Sequence, residues 1–180
     1  HFVSSENAAI RVRRLGEGRK SIHVIGSPEL DYHQQPSGIS IEQVKQKYDI
    51  EFSDYGICIF HPVTSEQSKT KQQASVLFNS LNESRRHFVV LLPNNDPGSK
   101  EIFNEIEKLP SDRFRVIPSM RFSYFSELLR NASCIVGNSS TGVREAPFLG
   151  ISSLNFGSRQ HGRCYEPSIT HTNDHDRNAI

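Results

Sequence analysis

Cys134-Ile135-Val136-Gly137-Asn138-Ser139-Ser140-Thr141-Gly142-Val143-Arg144-Glu145 passes from a short β-branched apolar run into glycine, hydroxyl side chains and the start of a helix. A strand that turns directly into a helix is the repeating step of a parallel α/β layer, because parallel strands need a crossover between them. The same step recurs along the chain. Phe2-Val3, Ile22 to Ile25, Ile57 to Phe60, Phe88 to Leu92, Phe114 to Ile117, Cys134 to Val136 and Ile151 to Leu154 read as strands. Between them, Glu6 to Leu15, Ser40 to Lys47, Ser65 to Leu81, Ser99 to Leu109, Ser123 to Ala132 and a short piece from about Gly142 read as helices. Ser40 and Gln43 stand at capping-box spacing. The strands are nearly continuous apolar runs, as expected of a sheet covered on both faces. The fold class is therefore α/β, a parallel sheet flanked by helices.

In such a sheet ligands bind beyond the carboxyl ends of the strands, where loop amides and helix N-termini converge. The loops there are His61-Pro62, Pro93 to Ser99, Gly137 to Gly142 and Gly157 to Gln160. The hydroxyls of Ser139, Ser140 and Thr141, with the free amides of a first helical turn, suit a phosphate. No lysine follows the glycine as in a Walker loop, and the Gly-x-Gly-x-x-Gly fingerprint is absent. Asn138 or Ser139 also suits a plain helix cap. Glu145 repels a bare phosphate but can accept both hydroxyls of a vicinal diol, such as a ribose offers. His61 suits either a hydrogen-bonded surface position or proton transfer. Arg159 and Arg163 suit solvent or diphosphate oxygens. Phe125, spaced with Leu128, Leu129 and Ala132, suits core packing or, at the amino end of its helix, stacking on a base.

Across 180 residues, 21 Lys and Arg oppose 20 Asp and Glu, which leaves no electrostatic footprint for nucleic acid or an anionic membrane. The apolar runs are far shorter than the ~20 residues of a membrane helix. Cys58, Cys134 and Cys164 lack Cys-x-x-Cys spacing, so neither a disulfide framework nor a metal site is expected, and a reducing, cytoplasmic setting fits. The chain opens His1-Phe2-Val3, has Met120 as its single methionine and shows no signal-peptide pattern, so it reads as a piece of a longer protein. The polar stretch 164–180 reads as a surface or frayed tail, and Gly26 to Ser40 as a loop.

His61-Pro62, Pro93-Asn94-Asn95-Asp96-Pro97-Gly98-Ser99, Gly137 to Ala146 and Asn155-Phe156-Gly157-Ser158-Arg159-Gln160-His161-Gly162-Arg163 together resemble the hydrolysing UDP-N-acetylglucosamine 2-epimerases of sialic and legionaminic acid synthesis. His1 to Asp31 is similar to the stretch joining that family's two domains. The resemblance implies a glycosyltransferase B-type fold, with residues 1–180 as its Rossmann-like, carboxyl-terminal, nucleotide-sugar-binding domain. It implies Ser139 and Ser140 on the diphosphate, Glu145 on the ribose, Phe125 on the uracil, Arg159 near the phosphates, Asn94 as a nucleotide contact and His61 as a catalytic histidine. It implies a UDP-sugar substrate, no cofactor or metal, acid/base carboxylates from an amino-terminal domain outside this chain, and a homo-oligomeric full-length enzyme. Ser139-Ser140-Thr141-Gly142-Val143-Arg144-Glu145 fits the hydrolysing branch better than the Ser-Gly-Gly and Gln-Glu-Glu pattern of the non-hydrolysing one. A UDP-sugar-dependent glycosyltransferase domain, a non-catalytic nucleotide-sugar sensor and a receiver-like interaction domain are the alternatives.

Overall fold

A computed structural model describes residues 1–35 and 37–172. The chain divides into two compact units, His1–Pro36 and Ser37–Ile180. In the first, β1 (Phe2–Val3) pairs in parallel with β2 (His23–Val24). They are joined through α1 (Glu6–Arg14), whose N-cap Ser5 accepts a hydrogen bond from the Ala8 amide. A further helix, α2 (Glu29–Gln34), occupies the stretch read as a loop, with Pro28 at its N-cap. Proline cannot continue a helix from within but is tolerated at its start, which is why Pro28 opens one here.

The second unit holds a six-stranded sheet. Its strands are β3 (Gly56–Ile59), β4 (Phe88–Leu91), β5 (Phe114–Ile117), β6 (Cys134–Gly137), β7 (Ser152–Phe156) and β8 (Ile169–Thr172), in the spatial order β5-β4-β3-β6-β7-β8. Every neighbouring pair is parallel. The intervening helices are α3 (Ile41–Tyr48), α4 (Thr70–Glu83), α5 (Ser99–Ile106), α6 (Phe122–Arg130) and α7 (Glu145–Phe148). Ser40 and Gln43 form the expected capping box on α3. The expected helix from Ser65 begins instead as a 3-10 turn, Thr64–Lys69, with a kink at Glu66 before α4.

Both sheet faces are covered, because successive side chains of a strand point to opposite sides. Ile57 and Ile59 join Val44, Leu128 and Leu129 in one core, while Cys58 and Phe60 join Leu77, Phe78 and Ile102 in the other. The polar tail differs from its sequence reading: Ile169–Thr172 is an edge strand on β7. Ladder hydrogen bonds hold it, Ser153 N to Ser168 O at 2.9 Å and Gly157 N to Thr172 O at 3.0 Å, and these need no apolar run. Residues 173–180 of that tail lie outside the described residues. Among the described residues, no helix is long and apolar enough to cross a membrane.

The strand order decides where a site can form. The chain runs outward from β3 through β4 to β5, then returns to the other side of β3 with β6. The crevice above β3 and β6 is thus the topological switch point.

Candidate functional site

The two central strands end in close contact. Ile59 of β3 is in register with Gly137 of β6, and a Cβ on Gly137 would stand 2.1 Å from Ile59 O. With φ at +131°, Gly137 also has a backbone that side chains disfavour. The chain diverges there. Asn138 N still donates to Ile59 O at 3.0 Å, and the Asn138 side chain then takes over the pairing. Its Oδ1 accepts from His61 N at 2.7 Å and its Nδ2 donates to His61 O at 2.8 Å. Asn138 is 1% exposed. The cap reading of Asn138 is therefore corrected: the cap is Ser139, whose Oγ accepts from Thr141 N.

The helix expected after this loop is also different. Ser140–Gly142 is a single 3-10 turn, and α7 is only four residues long. The amides of Thr141, Gly142, Val143 and Arg144 are spent inside the turn, on Ser139 Oγ, Ser139 O, Ser140 O and Ser140 O. The expected cradle of free helical amides is absent at those four positions, and a one-turn helix has little dipole to replace it.

His61 is bonded at its ring as well as its backbone. Asn94 N donates to His61 Nδ1 at 3.2 Å, while the Asn94 side chain donates to Asp96. An Nδ1 that accepts a hydrogen bond places the neutral ring's proton on Nε2. Burial pushes the imidazole down to about 4; the Arg159 charge adds to this and Asp96 opposes it. The histidine is thus a neutral donor near pH 7.

The loop after β7 closes the site from the other side. Arg159 Nη1 donates to Asn138 O at 3.2 Å, and Gln160 Nε2 donates to the same oxygen at 2.8 Å. Gln160 is 0% exposed, and sequence reasoning gave it no role although it stands beside Arg159. Ser158 Oγ donates to Glu66, which also accepts from Gln73 Nε2 at 2.8 Å, so this loop is braced to the turn that follows His61. Burial, then the neighbouring Arg163, lower the Arg159 pKa, with Asp96 opposing.

Above these residues lies a cleft of about 440 Å³, within the range of small-molecule sites. Its polar lining includes His61, Asn94, Ser139 and Thr141, and its apolar lining Ile59, Leu91, Pro118, Met120, Phe122 and Phe125. Phe125 is 7% exposed and packs in the core cluster, so it serves core and cleft together. Phe122, 40% exposed, was missed; its spacing three residues before Phe125 was the available signal. Ser140, Arg159 and Glu145 are outside the lining of the cleft; Glu145 is 7% exposed at the start of α7. A larger hollow of about 720 Å³, lined by Gln67, Ser68, Lys71, Gly98, Lys100 and Glu101, shares no residue with the cleft and has no aromatic or branched apolar side chain in its lining.

A parallel six-stranded sheet flanked by helices, with its cleft at the switch point, is the Rossmann-like architecture of glycosyltransferase B-type folds. The family model described as UDP-N-acetylglucosamine 2-epimerase matches residues 1–180, and the chain belongs to that family. It is 43% identical, over all of its length and 48% of the relative's, to the UDP-N-acetylglucosamine 2-epimerase of Neisseria meningitidis serogroup B. It is 31% identical, over 91% of its length and 44% of the relative's, to the hydrolysing UDP-N,N'-diacetylbacillosamine 2-epimerase of Legionella pneumophila. The chain spans about half the length of the curated relatives it matches. Among solved structures, UDP-GlcNAc 2-epimerase from Methanocaldococcus jannaschii superposes with a TM-score of 0.70 at 16% identity, covering 99% of this chain and 52% of that one. A solved UDP-GlcNAc 2-epimerase from Neisseria meningitidis bound to UDP-GlcNAc, far less similar in sequence than the 43% relative, superposes with a TM-score of 0.67 at 17% identity, covering 86% of this chain and 43% of that one.

Proposed function

We propose that this chain is the UDP-binding, carboxyl-terminal half of a hydrolysing UDP-N-acetylglucosamine 2-epimerase. In this reading residues 1–180 form the nucleotide-sugar-binding domain, with His1 to Asp31 as the stretch that joins it to the other half. The observation that carries it is the meeting of His61, Asn94, Ser139 and Phe125 on the wall of one cleft. Apolar lining with an aromatic ring suits a base, and the hydroxyls of Ser139 and Thr141 in the same lining suit a diphosphate. The hydrolysing branch is supported by Thr141 to Arg144 after the serine pair and by the relative whose name states hydrolysis.

The reaction in this reading breaks the C1–O bond as the C2 proton is removed, leaving UDP and an unsaturated sugar. Water then adds, giving free N-acetylmannosamine or its diacetamido analogue. Negative charge grows on the departing diphosphate. Ser139, Ser140 and the Arg159 guanidinium meet it, each charged hydrogen bond contributing about 1.5–3 kcal/mol before desolvation. His61 offers Nε2–H to the same oxygens. A diphosphate beside the ring raises its depressed pKa, so a proton can follow the charge onto or away from it. Phe125 stacks on the uracil, Asn94 contacts the nucleotide and Glu145 takes the ribose diol. Removal and return of the C2 proton belong to carboxylates outside this chain.

Two measurements test this. UDP titrated into the chain should bind with a Kd between tens of micromolar and about a millimolar. The enzyme containing this chain should release free N-acetylmannosamine and UDP from UDP-N-acetylglucosamine without an acceptor. Accumulation of UDP-N-acetylmannosamine with no free sugar would overturn the hydrolysing assignment, and absence of UDP binding would overturn the nucleotide site. Turnover by the 180-residue chain alone would refute the division of labour.

A further inference from the structure

We propose that Asn138 is a positioning residue that substitutes its carboxamide for a missing rung of the β3–β6 ladder, and so fixes His61 in one orientation and one tautomer. The inference deepens the functional reading above, since it concerns the histidine assigned there. A regular parallel ladder would have ended at Ile59 and Gly137, because the positive φ of Gly137 turns the backbone of β6 away. The side chain of Asn138 carries the same donor and acceptor as a peptide unit. It meets both backbone groups of His61 at 2.7 and 2.8 Å. No other side chain of that length offers this pair: Asp lacks the donor, Leu lacks both, and Ser is too short to reach both groups.

The arrangement has a division built into it. The carboxamide of Asn138 acts on His61, whereas its backbone carbonyl acts on Arg159 and Gln160. Replacement of the side chain removes the first set and leaves the acceptor of the second. Freed from its clamp, the His61 backbone can withdraw the ring from the Asn94 amide, which is what holds the proton on Nε2. At 1% exposure Asn138 has almost no surface with which to touch a ligand, so its effect passes through His61.

The test is the ring of His61 followed by ¹⁵N–¹H NMR in the 180-residue chain, assigned by the His61→Gln variant. In the unmodified chain the ring should keep its proton on Nε2 and stay neutral through pH 5. In Asn138→Ala the titration should climb by one to two units toward the free-histidine value of ~6.5, while the Kd for UDP moves less than fivefold. In the complete enzyme the same substitution should lower kcat at least tenfold with a smaller change in KM. A folded Asn138→Ala chain whose His61 titrates as before overturns the proposal. Should that variant not fold, hydrogen exchange in the unmodified chain decides. Protection of the His61 amide and of one Asn138 Nδ2 proton by a hundredfold or more supports the clamp, and free exchange of both overturns it. Failure of the unmodified chain to bind UDP would sink the functional reading but leave the His61 measurement readable.

Discussion

Gly137 and Ile59 approach so closely that no side chain fits between them: a Cβ on residue 137 would lie 2.1 Å from Ile59 O and 2.7 Å from Ile59 C. Backbone lies on the far side of the contact, so the strands themselves would have to part. Gly137→Ala should therefore lower stability by about 3 kcal/mol or more, adding left-handed strain to the clash. Gly150, with φ at +72° and open space around it, isolates the strain alone, and Gly150→Ala should cost about 1–2 kcal/mol. Urea unfolding of the two variants checks this. Equal losses would mean the close approach contributes nothing.

The depressed pKa of His61 makes stability depend on acid. Its folded value of about 4 lies below the unfolded value near 6.5, so between the two the unfolded chain binds more protons. Stability contributed by the neutral ring is complete above about pH 6.5 and lost as pH falls toward 4. After discounting for the partial exposure of the ring, the loss should be on the order of 1–2 kcal/mol. Unfolding free energies from urea titrations at pH 7 and pH 5 should differ by about this amount in the unmodified chain and differ less in His61→Gln. Parallel behaviour of the two would refute the shift.

Phe122 and Phe125 share the cleft but not the core, which separates their variants. Phe125→Leu keeps an apolar side chain in the cluster and removes the ring, so UDP should bind about tenfold more weakly while the chain stays folded. Phe122→Ala, at a half-exposed position, should change UDP affinity less than threefold. Calorimetric titration of both distinguishes them. The reverse ranking would make Phe122 the stacking ring.

Arg159 holds Asn138 O through one guanidinium nitrogen and has others left to give. Lysine keeps the charge but cannot hold the carbonyl and a phosphate oxygen in one plane. Arg159→Lys should weaken UDP binding about tenfold, which corresponds to ~1.4 kcal/mol, and Gln160→Leu should destabilise the fold with less effect on UDP. A lysine variant that binds UDP as tightly as the unmodified chain would remove Arg159 from the phosphate site.

Strands β3 to β7 and helices α3 to α6 were legible because period and turn chemistry are local properties. Ile57 to Phe60 and Cys134 to Val136 announce buried strands, Ser40 and Gln43 announce a capped helix, and the small polar loops announce the sheet edge where the cleft lies. The sequence by itself determined the fold class and the family, since both rest on ordered local motifs. Strand order was beyond it. His61 and Asn138 are 77 residues apart, and only the return of the chain to the inner side of β3 places them in hydrogen-bonding contact. Likewise, four amides expected to face a phosphate are consumed by a 3-10 turn, and Ile169–Thr172 is a strand because β7 offers an unpaired edge. Backbone hydrogen bonds are satisfied by whatever lies nearby in space, and that neighbourhood is a property of the folded chain as a whole.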